Sequence, residues 1–184
     1  MGSEPRSGAL LQMLAASKPG GRFLELGTGT GIGTAWIFSG MDAASTLISI
    51  DTDEELQAVA PEPLCHDTRL KLLSHDGAAF LWRQPKESFE LVFADAIPGE
   101  YEALDEAPAI VKPGGYYMIG DMLPHPNWPE EHGEKVQAWL NGLAADPRFV
   151  VLPLAWSSGV VVLVRKSPQE VLPELLTCPQ RKNR

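Results

Sequence analysis

Short apolar segments alternate along the chain with segments whose apolar residues recur at helical spacing. The short segments are rich in Leu, Ile, Val and Phe, and glycine, proline or acidic residues follow them closely, which is typical of buried strands. They predict strands at 22–26, 46–51, 70–74, 90–95 and 116–120, with helices at 7–16, 32–39, 54–60, 78–83, 101–110 and 133–145. Strands that alternate with helices in this way indicate an α/β fold whose sheet is mostly parallel.

The pattern also predicts how the first and last elements pack. In the first helix the apolar stripe consists of Ala9, Leu10, Met13 and Leu14, and in the last helix it consists of Val136, Trp139, Leu140 and Leu143. Two further apolar segments, 148–154 and 159–165, predict an antiparallel pair that closes the sheet. The segment 111–115, Val-Lys-Pro-Gly-Gly, predicts a tight reversal between a helix and the fifth strand.

Composition favours one soluble domain. The 184 residues are 44% hydrophobic and 21% charged, and no apolar run approaches the roughly 20 residues that span a bilayer. The amino-terminal segment lacks the pattern of a signal peptide. Cys65 and Cys178 lack the spacing of a metal site, which indicates reduced thiols and a cytoplasmic protein. We expect one domain over residues 1–167 and a disordered tail over 168–184.

The net charge of −9 restricts the class of partner. Nucleic-acid phosphates require a basic face, so we expect neither nucleic acid nor a membrane as a partner. A small molecule is the expected substrate.

A glycine-rich turn follows the first predicted strand. It does not fit the dinucleotide fingerprint G-x-G-x-x-G/A, since the sixth position counted from Gly27 is Ile32 and the sixth from Gly29 is Thr34. It fits an acidic residue, Glu25, followed by glycine at every second position from Gly27. A carboxylate there would repel a pyrophosphate and attract a cationic amino group. The turn therefore favours a ligand that is not a dinucleotide.

This pattern resembles motif I of the class I S-adenosylmethionine-dependent methyltransferases. The resemblance implies that Glu25 faces the amino end of the methionine part of the cofactor. It also implies that Gly27, Thr28 and Gly29 lie close to that part. The family's serine contact falls on Gly33, which is a departure.

Acidic residues at later strand ends complete the predicted cofactor site. Asp51 ends the second predicted strand, where doubly wound folds bind ribose hydroxyls, and we assign the ribose to it with its neighbour Thr52. Asp53 fits better as the cap of the next helix. After the third strand, Asp76 with Gly77 and Ala78 either receives the adenine or caps the helix that follows, and both interpretations stay open.

Asp95 and Asp121 follow the fourth and fifth strands, with Lys-Pro-Gly-Gly between them. Over residues 8–166 this order resembles the catechol and caffeoyl-coenzyme A O-methyltransferases. The resemblance implies a Rossmann-like, doubly wound, seven-stranded sheet that is mostly parallel with an antiparallel last strand and helices on both faces. It also implies a divalent metal such as Mg²⁺ on Asp95 and Asp121. The family's asparagine ligand and catalytic lysine fall on Met122 and Pro98, which argues against a complete metal site.

A proline-rich loop with two histidines follows Asp121. His125 or His132 is suited to act as a general base, although both fit equally well as exposed loop residues. We assign the catalytic roles to Asp95, which also touches the cofactor, Asp121 and His125. The resemblance leaves a homodimer open: related enzymes often dimerise through helices that precede this region, whereas only about 20 residues precede the first strand here.

The resulting hypothesis is S-adenosylmethionine-dependent O-methylation of a small-molecule hydroxyl by in-line transfer. Two alternatives stay open, namely a non-catalytic S-adenosylmethionine-binding module and an NAD(P)-dependent oxidoreductase.

Overall fold

The computed structural model describes residues 5–59, 64, 66–96, 103, 105–120, 122–123, 132–156 and 158–167, and confirms the alternation of strands and helices. The strands are β1 Arg22–Leu26, β2 Thr46–Asp51, β3 Leu70–Ser74, β4 Phe89–Ala94, β5 Val111–Ile119, β6 Phe149–Leu154 and β7 Val160–Arg165. The helices are α1 Pro5–Ala16, α2 Ile32–Gly40, α3 Glu54–Gln57, α4 Gly77–Leu81, α5 Glu106–Ala109 and α6 His132–Ala145. The predicted tail 168–184 lies outside the described residues.

The strands form one sheet of seven in the order β3-β2-β1-β4-β5-β7-β6. Strands β1 to β5 pair in parallel, whereas β7 runs antiparallel to both of its neighbours. The strand order reverses direction between β1 and β4, and in open α/β sheets ligands bind beside such a reversal at the carboxyl ends of the strands. The predicted fold class is therefore confirmed.

Alternate residues of the central strands bury opposite faces of the sheet. Phe23 of β1 packs in the core on the α1 and α2 face, while Leu24 packs in the core on the α4, α5 and α6 face. The predicted α6 stripe is confirmed, because Val136 and Leu143 are buried in the second core with Trp139 and Leu140 packed against it. None of the helices in the described part of the chain has the length and apolar composition needed to cross a membrane.

The predicted stripe of α1 is wrong at two of its positions. Ala9 and Met13 are exposed, and α1 instead buries Leu11, Leu14 and Ala15 together with the small residues Ser7 and Gly8. The reason is close packing on α2, since a Cβ added to Gly8 would overlap the indole ring of Trp36. A glycine in the contact lets the two helices approach, which an apolar pattern alone does not reveal.

Replacing Gly8 by alanine is expected to destabilise the protein by about 1–3 kcal/mol, the usual cost of forcing extra volume into a packed interior. Gly142→Ala in α6 is the matched control, because no atom lies within 4 Å of the position its Cβ would take. Helix propensity alone is expected to make that control more stable by about 0.5–1 kcal/mol. Urea unfolding of both variants measures the difference. Equal stabilities would contradict the packing role of Gly8.

The predicted reversal at 111–115 is also wrong. Residues 112–115 lie within β5 as an irregularity, since Phe89 pairs with Val111 while Leu91 already pairs with Tyr116. Gly114 has a φ of 76°, so the glycine freedom inferred from the sequence is used for a bulge and not for a turn. Helices α3 and α5 are also shorter than the predicted segments 54–60 and 101–110, because α3 ends at Gln57 and α5 begins at Glu106.

Candidate cofactor site

The glycine-rich turn after β1 is bound to the end of β2. The amides of Gly27 and Thr28 both donate to the carbonyl oxygen of Ile50, at 2.8 and 3.2 Å. Gly27 has a φ of 96°, and a Cβ there would lie 2.5 Å from the carbonyl oxygen of Asp95. This position therefore requires glycine on both conformational and steric grounds, because L side chains avoid positive φ.

Asp51 holds the turn and the next helix together. Its Oδ2 accepts a hydrogen bond from the amide of Gly29 at 2.8 Å, and its Oδ1 accepts one from the amide of Asp53 at 3.0 Å. Each carboxylate oxygen can accept more than one hydrogen bond, so a ligand hydroxyl can share this side chain. Asp53 caps α3 as predicted, accepting from the amide of Leu56 at 3.0 Å.

A cavity of about 310 Å³ opens at the carboxyl ends of β1, β2 and β4. Five of the residues that the sequence assigned to the cofactor line it, namely Gly27, Thr28, Gly29, Asp51 and Asp95. The structure thus brings together residues that are up to 68 positions apart, from 27 to 95.

Other residues of the lining were missed in the sequence. They are Thr30, Ile32, Gly33, Leu56 and Ala96. Thr30, Ile32 and Gly33 lie within four positions of Gly29, and Ala96 follows Asp95 directly. Their proximity in sequence to predicted cofactor residues is the signal that could have identified them. Leu56 carries no such signal, since it belongs to a charged helix and is 44% exposed.

Glu25 lies below the turn and is fully buried. Its Oε2 accepts hydrogen bonds from the hydroxyl groups of Thr34 and Ser49, at 2.5 and 2.6 Å, while its Oε1 has no partner among the described residues. The pKa of Glu25 is raised from 4.5 to about 8, because burial and, to a smaller extent, the charges of Asp95 and Asp51 raise it more than the hydrogen bonds from Ser49 and Thr34 lower it. The carboxyl group is therefore mostly protonated at neutral pH.

The remaining residues assigned to the cofactor lie outside the lining described for this cavity. Thr52 is exposed, and Gly77 and Ala78 are buried at the start of α4. Asp76 caps α4, because its side chain accepts from the amide of Ala79 at 2.6 Å. The cap is therefore observed, and the adenine role of these residues stays a prediction.

The acceptor side of the site is described in part. The carboxylate of Asp95 lies against Gly120 at the end of β5, where an added Cβ would be 2.8 Å from its Oδ1. Asp121 and His125 fall outside the described residues, as do Pro98 and the side chain of His132. Their catalytic and metal roles stay predictions.

The described residues cover only part of the predicted metal site. Among residues 5–59, 64, 66–96, 103, 105–120, 122–123, 132–156 and 158–167, no group of three histidine, cysteine or acidic side chains is placed to hold a metal ion. Met122, at the position of the family's asparagine ligand, is buried and offers only a thioether, a poor ligand for a hard divalent cation. Because Asp121 lies outside the described residues, the metal site itself stays a prediction.

The fold and cavity define the class. A doubly wound sheet with a glycine-rich turn, an acid at the end of the second strand and an out-of-register fingerprint belongs to proteins that bind a nucleoside-containing cofactor other than a dinucleotide. Residues 24–122, more than half of the chain, match the family described as the methyltransferase domain. The chain belongs to this family, and the predicted methyltransferase class is confirmed.

Two curated relatives carry the name "Putative O-methyltransferase". The protein of Mycobacterium avium is 31% identical over 171 residues, which cover 88% of this chain and 77% of the relative. The protein of Mycobacterium sp. strain JLS is 32% identical over 120 residues, which cover 62% of this chain and 54% of the relative. The second match thus spans little more than half of that relative.

Solved structures share the fold. The O-methyltransferase TomG of Streptomyces achromogenes, solved in complex with SAM, superposes with a TM-score of 0.73 at 19% identity, over 90% of this chain and 82% of that chain. At 19% identity, this similarity shows that the two proteins share a fold. The Rossmann-like, seven-stranded fold class predicted from the sequence is thus confirmed.

Proposed function

We propose that the protein is an S-adenosylmethionine-dependent O-methyltransferase that acts on the hydroxyl group of a small molecule. The observation that carries this proposal is the cavity at the strand ends, around which Gly27, Thr28, Gly29, Asp51 and Asp95 converge. Relatives named as O-methyltransferases support the reaction class. Methyl transfer is favoured over the NAD(P)-dependent reaction because the turn is out of register for a dinucleotide.

Asp51 is assigned to the ribose hydroxyls. Its two oxygens already accept the amides of Gly29 and Asp53, so its orientation is fixed before a ligand enters. Preorganised acceptors lower the entropic cost of binding. Thr52, Asp76, Gly77 and Ala78 are assigned to the adenosine end, beyond the described lining of the cavity.

Glu25 is assigned to the cationic amino end of the cofactor. Its Oε1 is buried without a partner in the part of the chain that the structure describes, and an uncompensated buried polar atom is costly unless a ligand or a water satisfies it. A positive charge nearby would lower the raised pKa of this carboxyl and favour its ionised form. The proposed site therefore becomes more polar when its ligand is bound.

When bound, S-adenosylmethionine supplies a methyl group on a sulfonium sulfur, and the chain supplies position and charge. Alignment of the acceptor oxygen with that methyl group accounts for much of the rate of an in-line displacement. Asp95, which lies between the turn and Gly120, is assigned to orient the acceptor. Asp121 and His125 are assigned to remove the hydroxyl proton. No metal is required by this assignment.

The cellular location, the partners and the oligomeric state of the protein belong to the same proposal. We place the protein in the cytoplasm, with no nucleic-acid partner, because its net charge is −9 and its cysteines lack metal or disulfide spacing. A homodimer is supported by the edge strand β6, on which Val150 and Leu152 are 53% and 54% exposed. Light scattering coupled to gel filtration tests the dimer.

Calorimetric titration with S-adenosylmethionine, S-adenosylhomocysteine and NAD⁺ tests the cofactor. We expect binding of the first two and none of NAD⁺. Incubation with a panel of catechols and phenols, with and without Mg²⁺, then tests transfer to oxygen by mass spectrometry. Binding without transfer to any acceptor would favour the non-catalytic module, and binding of NAD⁺ alone would overturn the proposal.

A further inference from the structure

Helix α3 and the turn that follows it bury a polar residue and expose two apolar residues. Gln57 is 8% exposed, whereas Leu56 and Val59, on either side of it, are 44% and 64% exposed. Amide side chains are mostly exposed in proteins, so a glutamine buried in place of a neighbouring leucine indicates a specific role. That role is visible in its hydrogen bonds.

Both amide protons of Gln57 are used across two elements. Nε2 donates to the hydroxyl oxygen of Thr28 in the glycine-rich turn at 3.0 Å, and to the carbonyl oxygen of Leu73 in β3 at 3.1 Å. Gln57 therefore ties the carboxyl end of α3 to the turn and to the edge of the sheet. Asp51 ties the amino end of α3 to the same turn, through Gly29 and Asp53.

The direction of the hydrogen bonds requires an amide at position 57. The Leu73 carbonyl can only accept, so the atom of Gln57 that faces it is the amide nitrogen, and the same nitrogen donates to Thr28. The proton of Thr28 is then left for Ser49 at 2.7 Å, and the proton of Ser49 for Glu25. The chain Gln57, Thr28, Ser49, Glu25 thus runs in one direction, toward the buried carboxyl.

We infer that Gln57 is a positioning residue for the cofactor cavity, holding Thr28 and the α3 wall that carries Leu56. Both Thr28 and Leu56 line the cavity. The hydrogen bond from Gln57 to Thr28 joins the carboxyl end of α3 directly to the turn. The inference rests on the proposed function. It adds a residue that does not touch the ligand and acts through those that do.

The expected effect of Gln57→Met, which keeps the length and removes both donors, is a loss of affinity for S-adenosylmethionine of about tenfold. KM for the cofactor is expected to rise by a similar factor while kcat changes less than about threefold, because ground-state positioning is lost. Val59→Met, at the exposed position two residues after Gln57, is the matched control and is expected to bind like the wild type.

Four further variants separate positioning from a general loss of stability. Thr28→Val keeps the shape of the side chain and removes its hydroxyl. The double variant with Gln57→Met is expected to lose less affinity than the sum of the two single losses, since the Gln57–Thr28 hydrogen bond is removed in both. Gln57→Glu places an acceptor against two acceptors and is expected to bind more weakly than Gln57→Met, whereas Val59→Glu, with the same added charge, is not.

Calorimetry and thermal unfolding are measured on the wild type and on all six variants. An unchanged dissociation constant in Gln57→Met, with or without a lower melting temperature, overturns the inference and leaves a stabilising role only. Losses in Gln57→Met and Thr28→Val that add in the double variant overturn the route through Thr28. Failure of the wild type to bind S-adenosylmethionine overturns the proposed function itself, which is a separate result.

Discussion

Replacing Glu25 by glutamine is expected to stabilise the folded protein at pH 8 and to weaken its affinity for S-adenosylmethionine. Glutamine resembles the neutral carboxyl group in shape, and its side-chain oxygen can still accept from Thr34 and Ser49. It cannot ionise, so it offers no charge to a cationic ligand. Opposite effects on stability and on affinity would be the signature of a residue kept for function.

The sign of the pH dependence follows from the raised pKa. Below about pH 4.5 the carboxyl is protonated in both the folded and the unfolded chain, and it has no differential effect. Between that pH and about 8, the unfolded chain ionises while the folded chain stays neutral, so this group makes the wild type progressively less stable as pH rises. The full difference is on the order of 5 kcal/mol.

Urea unfolding of the wild type and of Glu25→Gln between pH 5 and pH 8.5 measures this difference. The gap between the two free energies of unfolding is expected to widen with pH and then level off above the folded pKa. All other groups titrate alike in both proteins and cancel in the comparison. Parallel curves over the whole range would show that Glu25 does not carry a raised pKa in the folded state.

Asp51→Ala is expected to lower affinity for S-adenosylmethionine about a hundredfold. A hydrogen bond to a charged group contributes about 1.5–3 kcal/mol, and the proposed ribose contacts involve two hydroxyl groups. The substitution also frees the amides of Gly29 and Asp53, which lose their acceptor. Asp51→Asn, which keeps one acceptor oxygen, is expected to fall between the alanine variant and the wild type.

Asp53→Asn is the matched control for Asp51. It lies two residues away, loses the same charge, and keeps an oxygen that can cap α3 through the amide of Leu56. Calorimetry should therefore find its affinity for the cofactor within about twofold of the wild type. An equal loss in both variants would assign the effect to local charge or to α3, and no loss in Asp51→Ala would remove Asp51 from the site.

The positions of the strands along the chain were predictable because each strand is a short apolar segment. The bounds of β1, β2 and β3 agree with prediction, since a parallel sheet covered on both faces needs continuous apolar residues. The five cavity residues were predictable for a related reason. Polar residues that end such segments must meet at one edge of a parallel sheet.

The errors arise where packing overrides the apolar pattern. The face of α1 is set by the fit of Gly8 against Trp36, and the bulge in β5 is set by its pairing with β4. Neither is a local property of the chain. Gln57 was invisible for the same reason, because a glutamine in a charged helix is normally solvated, and only the contacts with Thr28 and Leu73 distinguish it.

The packing of α1 on α2 also decides where a purification tag belongs. A Cβ on Gly8 would meet Trp36, and a Cβ on Gly40 would meet Gln12 and Ala15, so the two helices run in the same direction. The start of α1 therefore lies near Ile32 at the rim of the cavity. Strand β7, being antiparallel, ends at the opposite edge of the sheet. A tag fused ahead of α1 therefore adjoins the cavity rim, unlike a position at the end of β7, and should be cleaved before any affinity is measured.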